Sequence, residues 1–88
     1  MNYLIISTNF KKKFKKFRKN EQERINKSLY LLKIDHFNPL LDNHRLKGFM
    51  DGYRSVDAGG DLIIVYREVE NNVFLVSDLG THHQLYGK

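Results

Sequence analysis

The sequence contains no cysteine and a single proline in 88 residues. Without cysteine, disulfides and thiolate metal sites are excluded. Four histidines alone make a poor zinc knuckle. Long hydrophobic runs are also missing. The longest, Leu62-Ile63-Ile64-Val65-Tyr66 and Val73-Phe74-Leu75-Val76, fall far short of a bilayer span, so no membrane role is expected. No basic start with an apolar stretch and a small-residue cleavage site opens the chain, and a cytoplasmic location is expected. There is no internal repeat, low-complexity tract or linker, and the length predicts one small domain over residues 1–88.

What is present fits a folded chain. Hydrophobic residues make up 41%, aromatics 12% and charged residues 28%. A core of this size gives marginal stability, which a partner would raise. The formal net charge is +5, but it is unevenly spread. Residues 1–30 hold nine Lys/Arg against two Glu, a net +7, and residues 31–88 hold six against eight acidic residues, a net −2. A local basic patch attracts phosphate polymers or an acidic protein surface. The plainer alternative is a solvated helix face that keeps the protein in solution.

Residues 2–7 read as a buried strand, and Thr8 or Asn9 as a helix N-cap. Phe10, Phe14 and Phe17 then recur at i, i+4, i+7, an apolar seam for the core. Between them lie Lys11, Lys12, Lys13, Lys15, Lys16, Arg18 and Lys19, a basic outer face under like-charge strain that an acidic partner relieves. Asn20, Glu21 and Glu23 mark a second helix start, acidic where the helix dipole favours it. Ile25, Leu29 and Leu32 carry its apolar stripe to an end near Asp35. Residues 35–43, with Pro39, form a loop. Short strands follow: Arg45-Leu46-Lys47 at an edge, Tyr53 to Ala58, Asp61 to Glu68, and Val73 to Leu79. Gly59-Gly60 and Glu70-Asn71-Asn72 are the turns. Gly80 to Gly87 is a tail. The order β-α-α-β-β-β-β predicts an α+β domain with two N-terminal helices packed on an antiparallel sheet of four to five strands.

A two-residue Gly59-Gly60 loop would pair Ala58 with Asp61, Ser55 with Ile64 and Tyr53 with Tyr66, and would set Tyr66 opposite Ser77. Opposed residues share a face. Val56, Ala58, Ile63, Val65, Phe74 and Val76 then face the helices. Tyr53, Ser55, Asp57, Leu62, Ile64, Tyr66 and Ser77 form a half-polar open face. A slip of one residue exchanges the two.

Four segments carry a resemblance over nearly the whole chain: Asn43-His44-Arg45-Leu46-Lys47-Gly48, Gly52-Tyr53-Arg54-Ser55, Gly60-Asp61-Leu62-Ile63-Ile64-Val65-Tyr66, and Gly80-Thr81-His82-His83-Gln84-Leu85-Tyr86-Gly87. With the element order, they resemble the RelE/YafQ-type mRNA-interferase toxins of bacterial type II toxin–antitoxin systems. The resemblance implies an antitoxin partner and cleavage of mRNA, commonly on the ribosome. It implies no metal or cofactor. The 2′-hydroxyl would attack the adjacent phosphorus, leaving a 2′,3′-cyclic phosphate and a 5′-hydroxyl. That chemistry needs a base, an acid and a holder for the phosphorane charge.

Residue by residue, the resemblance implies catalytic roles for His44, Asp61, His82 as general acid, and Tyr86, which stacks on a base or orients the phosphate. Each has a plainer alternative: His44 as a surface loop residue, Asp61 as turn chemistry, Tyr86 as tail packing. His83 and His36 read as a solvent neighbour and a loop residue. Lys11, Lys12 and Lys15, with Arg45, Lys47 and Arg54, are the candidate RNA contacts; backbone contacts of this kind position RNA without reading its sequence. Arg54 has a structural alternative, an ion pair with Asp78. The pattern departs at Asp57, where a second histidine is frequent, at Asp78, where an arginine is common, and at Leu62, in place of a tryptophan. Losing that arginine removes a phosphate clamp, and an aspartate in its place repels substrate. Three functions therefore stand: a metal-independent endoribonuclease, a non-enzymatic module binding RNA, ribosome or antitoxin, and a gyrase poison like the ParE branch of the fold.

Overall fold

The computed structural model describes residues 1–86; Gly87, the end of the expected tail, and Lys88 lie outside them. The chain forms β1 (Tyr3–Ile6), α1 (Thr8–Phe14), α2 (Lys19–Ile34), β2 (His44–Arg45), β3 (Arg54–Asp57), β4 (Leu62–Glu70), β5 (Val73–Thr81) and α3 (His82–Tyr86). Short 3-10 turns cover Pro39–Leu41 and Gly48–Met50. The strands make one sheet ordered β1-β5-β4-β3-β2. The α+β class and the two helices on the sheet are as expected. Among the described residues no helix is long and apolar enough to cross a membrane.

Several local expectations are corrected. Ser7, not Thr8 or Asn9, caps α1: its hydroxyl accepts from the Phe10 N–H at 3.0 Å. The helix stops at Phe14, so Phe17 reaches the core from a turn. In α2, Glu21 closes the N-terminus by accepting from the Arg18 N–H at 3.0 Å. The sheet is mixed, not wholly antiparallel, because β1 runs parallel to β5. That alignment sets Leu4 beside Phe74 and Ile6 beside Val76, against the helices. As an edge strand, β1 leaves Tyr3 and Ile5 exposed, not buried as the sequence suggested. The strand β2 lies at His44–Arg45, one residue before its expected start.

The hairpin register differs by one residue. Ala58 N–H donates to the Leu62 carbonyl at 2.9 Å, and Leu62 N–H to that of Gly59 at 3.0 Å. The connection is thus Gly59-Gly60-Asp61, and Ser55 pairs with Val65 and Arg54 with Tyr66. Gly59 adopts φ +91°, and a Cβ there would stand 2.7 Å from Arg24 Nε, so only glycine fits the approach of α2 to this turn. The slip exchanges part of the two faces. Val56, Ala58, Leu62, Ile64, Tyr66, Phe74, Val76 and Leu79 form the core with Phe10, Ile25, Leu32 and Leu41. Ile63 and Val65 turn to the opposite side, where they are nonetheless buried. A bulge explains how Val76 and Leu79 both face inward: Val65 pairs with Asp78 but Tyr66 with Val76, leaving Ser77 extra.

The expected tail instead continues β5 to Thr81 and ends in α3. Gly80 pairs with Ile63, and a Cβ on it would meet Leu85 at 3.3 Å and Gln84 Oε1 at 2.9 Å. So α3 lies flat on the side of the sheet away from α1 and α2, over the Ile63 row.

Candidate functional site

The antiparallel ladder assembles the site. Leu62 opposes Thr81, so the next residues outward, Asp61 and His82, meet across the end of the β4–β5 pair. His82 Nδ1 lies 3.0 Å from Asp61 Oδ1. An ionised carboxylate only accepts, so Nδ1 carries the proton and Nε2 points away from Asp61. Among the described residues, His82 Nε2 has no hydrogen-bond partner. Both side chains are at least half exposed, at 50% and 65%.

At the other end of the sheet, His44 opposes Ser55 and shares its face. His44 Nδ1 lies 2.9 Å from the Asp42 carbonyl, which must accept, and this assigns the ring proton to Nδ1. Nε2 then accepts from the Ser55 hydroxyl at 3.0 Å. Both ring nitrogens of His44 are therefore engaged within the protein.

Tyr86 comes near both pairs. Its ring centroid is 5.8 Å from that of His82. Its hydroxyl is shielded from solvent and makes no hydrogen bond of good geometry. Burial pushes its pKa above the ordinary tyrosine value, and the nearby Ser55 hydroxyl opposes this only in part. Since Ser55 gives its proton to His44, its oxygen is left to face the Tyr86 phenol. Asp61–His82 and His44–Ser55 are thus two polar pairs, with the Tyr86 ring beside the first and its hydroxyl near Ser55 of the second.

Other expected residues lie elsewhere. Arg54 shares a face with Tyr66, on the core side; its Nε donates to Asn43 Oδ1 at 2.7 Å and its guanidinium lies over the Phe37 ring. Asn43 in turn donates to the Tyr66 hydroxyl at 2.6 Å. Burial raises the Tyr66 pKa, with Asn43 and Arg54 pulling the other way. The expected Arg54–Asp78 pair is absent. Asp78 is instead 2.6 Å from Lys13 Nζ and accepts from the Leu79 N–H, because the bulge at Ser77 brings this stretch to α1. Arg45 opposes Arg54 and so faces away from His44. Lys11 and Lys15 line an apolar groove with Ile6, Phe10, Phe14 and Leu29, remote from the two polar pairs, and Lys12 is exposed on the same helix. Lys47 alone of the expected cations meets Tyr86, across a small hollow. His36 packs edge-on against Phe74 and contacts the Asn2 amide, a structural role, and His83 is exposed.

The matching family model, described as bacterial toxin of type II toxin–antitoxin system, YafQ, spans residues 3–87. The chain belongs to the YafQ toxin family. YafQ from E. coli strain BL21(DE3) superposes with a TM-score of 0.81 at 21% identity, covering 99% of this chain and 100% of that one. A chain of the E. coli DinJ–YafQ toxin–antitoxin complex matches with a TM-score of 0.78 at 22% identity, covering 98% of each. The YoeB/ParE toxin from Agrobacterium tumefaciens gives 0.75 at 23%, covering 91% of this chain and 98% of that one. At these identities the likeness is one of fold. A search of curated protein sequences gives no significant match.

Within this YafQ-family chain, one cation, Arg67, went unmarked in the sequence, and two others, Lys13 and Lys16, stood there only as part of the general basic face. Arg67 lies two residues from Val65 on β4, hence on the face of His44 and Ser55, and its guanidinium sits 5.8 Å over the Tyr53 ring. The one-residue register slip had assigned that alternation to the core. Lys13 and Lys16 line a hollow with Gln84 of α3. Their i, i+3 spacing separates them from Lys11 and Lys15, a helical signal available in the sequence. Asp78, paired with Lys13, has its charge neutralised locally. Asp57 keeps the face of Ser55 and Ile63 and adds negative charge there.

Proposed function

We propose that this toxin is a metal-independent endoribonuclease that cuts mRNA on the translating ribosome. The observation that carries the reading is the Asp61–His82 pair, with Tyr86 beside it and near the His44–Ser55 pair. The 2′-hydroxyl attacks the neighbouring phosphorus, forming the 2′-O–P bond as the P–O5′ bond breaks. His44 takes the 2′-hydroxyl proton at Nε2. Its ring is exposed and turns away from Ser55 at the loss of one hydrogen bond, about 1 kcal/mol. His82, held at Nδ1 by Asp61, gives the Nε2 proton to the departing 5′-oxygen. Arg67 and Lys47 hold the phosphorane charge in place of the arginine that Asp78 replaces.

The partner is an antitoxin, as in the E. coli DinJ–YafQ complex. The apolar groove between α1 and α2, about 340 Å³ and flanked by Lys11 and Lys15, suits an acidic amphipathic segment of that partner. Expression of His82→Ala is expected to leave growth unaffected while the pure protein still folds and binds its antitoxin. An equally toxic His82→Ala variant would remove the mechanism. A non-enzymatic role draws on two features, the engaged nitrogens of His44 and the aspartate at position 57. Toxicity retained without RNA cleavage would favour it, and toxicity accompanied by loss of supercoiling would favour a gyrase poison.

A further inference from the structure

Phe49 is an anomaly on this surface. It sits in the Gly48–Met50 turn with 91% of its surface exposed. It contributes nothing to the core, yet it forms one wall of a hollow of about 240 Å³ lined also by Leu46, Lys47, Met50 and Tyr86. Tyr86 is the wall that also lies beside His82 and near Ser55. Lys47 supplies a cation at the rim, and Leu46 and Met50 supply apolar sides. The volume lies below the roughly 300–1,000 Å³ typical of sites for larger organic ligands. An aromatic plane, a small apolar slot and an adjacent ammonium are the elements that hold a base of single-stranded nucleic acid with its phosphate.

We infer that this hollow is a nucleobase pocket: a base flanking the cut phosphate stacks on Phe49 while Lys47 contacts the backbone. The inference rests on the ribonuclease reading above and names the part of the site that grips the substrate. Because Phe49 is almost wholly exposed, its truncation leaves the fold intact, and thermal melting of Phe49→Ala matches the wild type.

The test titrates the full chain with a short mixed-sequence 2′-O-methyl RNA, which lacks the nucleophile and cannot be cut, and separately with inorganic polyphosphate. Stacking on one aromatic ring gives an expected loss of about 5- to 150-fold in RNA affinity for Phe49→Ala. Phe49→Trp restores it, and polyphosphate binding is unchanged in both. Lys47→Ala weakens both ligands. Wild-type RNA affinity in Phe49→Ala would overturn the pocket, as would a wild-type protein that binds no RNA. Loss of antitoxin binding in Phe49→Ala with RNA binding intact would overturn it too, making the ring a protein anchor. Phe49-dependent binding of this RNA by a protein that leaves unmodified mRNA uncut on translating ribosomes would sink the nuclease reading and leave the pocket standing.

Discussion

Replacing Gly80 by alanine tests whether α3 must lie flat on the sheet for the site to work. The added Cβ would stand 2.9 Å from Gln84 Oε1 and 3.3 Å from Cγ and Cδ2 of Leu85. Gln84 can swing aside, at the loss of its bond to the Thr81 N–H. Leu85 is packed and must move by a few tenths of an ångström, carrying α3 with it. Overpacking costs about 1–3 kcal/mol, and with Gln84 yielding the lower end applies. For a domain of this size about 1 kcal/mol lowers Tm by roughly 4–8 °C. Catalysis suffers as well, because α3 carries both His82 and Tyr86. A 1 Å misplacement costs on the order of 10²-fold, so a shift of a few tenths of an ångström in Gly80→Ala is expected to lose about 3- to 10-fold in RNA cleavage. Adding Leu85→Ala opens space and restores part of the rate. Cleavage rates and thermal melts of both single variants and the double variant close the cycle. Wild-type cleavage by Gly80→Ala, or a deficit that Leu85→Ala does not relieve, would refute the reasoning.

Three further outcomes are expected. Asp61→Ala releases His82 and lowers cleavage about 10-fold or more, while chemical denaturation shows a stability change under about 1 kcal/mol, since the pair is half exposed. Stability falls with rising pH from about 10, because the folded state keeps Tyr66 and Tyr86 protonated after the unfolded chain has begun to ionise; a flatter profile in Tyr66→Phe checks the sign by alkaline denaturation. Asp78→Asn frees the charge of Lys13 beside α3, and the salt dependence of RNA binding steepens by about 0.7 in log–log slope, one added phosphate contact, measured by titration at several salt concentrations.

The architecture was largely legible because local signals agreed with the tertiary outcome. The Phe10 and Phe14 seam, the Ile25 and Leu32 stripe and the positive φ at Asn72 all act within a few residues. What escaped depends on long-range geometry. Gly59 and Gly60 tolerate either loop length, so nothing nearby distinguishes a two-residue from a three-residue connection. Burial of Leu62 and Ile64 against the helices decides it. The bulge at Ser77 and the parallel course of β1 likewise arise from packing. The five residues of α3 are too few to signal a helix alone, and Leu85 against Gly80 holds them. For the candidate site, the motifs named His44, Asp61, His82 and Tyr86; cross-strand register explains why Asp61 meets His82 and why His44 meets Ser55, and α3 brings Tyr86 beside His82. The register error hid Arg67. Phe49 lies between the expected strands Arg45-Leu46-Lys47 and Tyr53 to Ala58, where exposure of a single side chain leaves no pattern in sequence.

The most direct measurement maps mRNA 5′ ends after incubating translating ribosomes with the pure protein, alongside His82→Ala. The expected result is a set of new 5′-hydroxyl ends with the wild type that vanish with the variant, while both proteins melt at the same temperature. Intact mRNA with folded wild-type toxin, or the same cuts made by His82→Ala, would contradict the assignment.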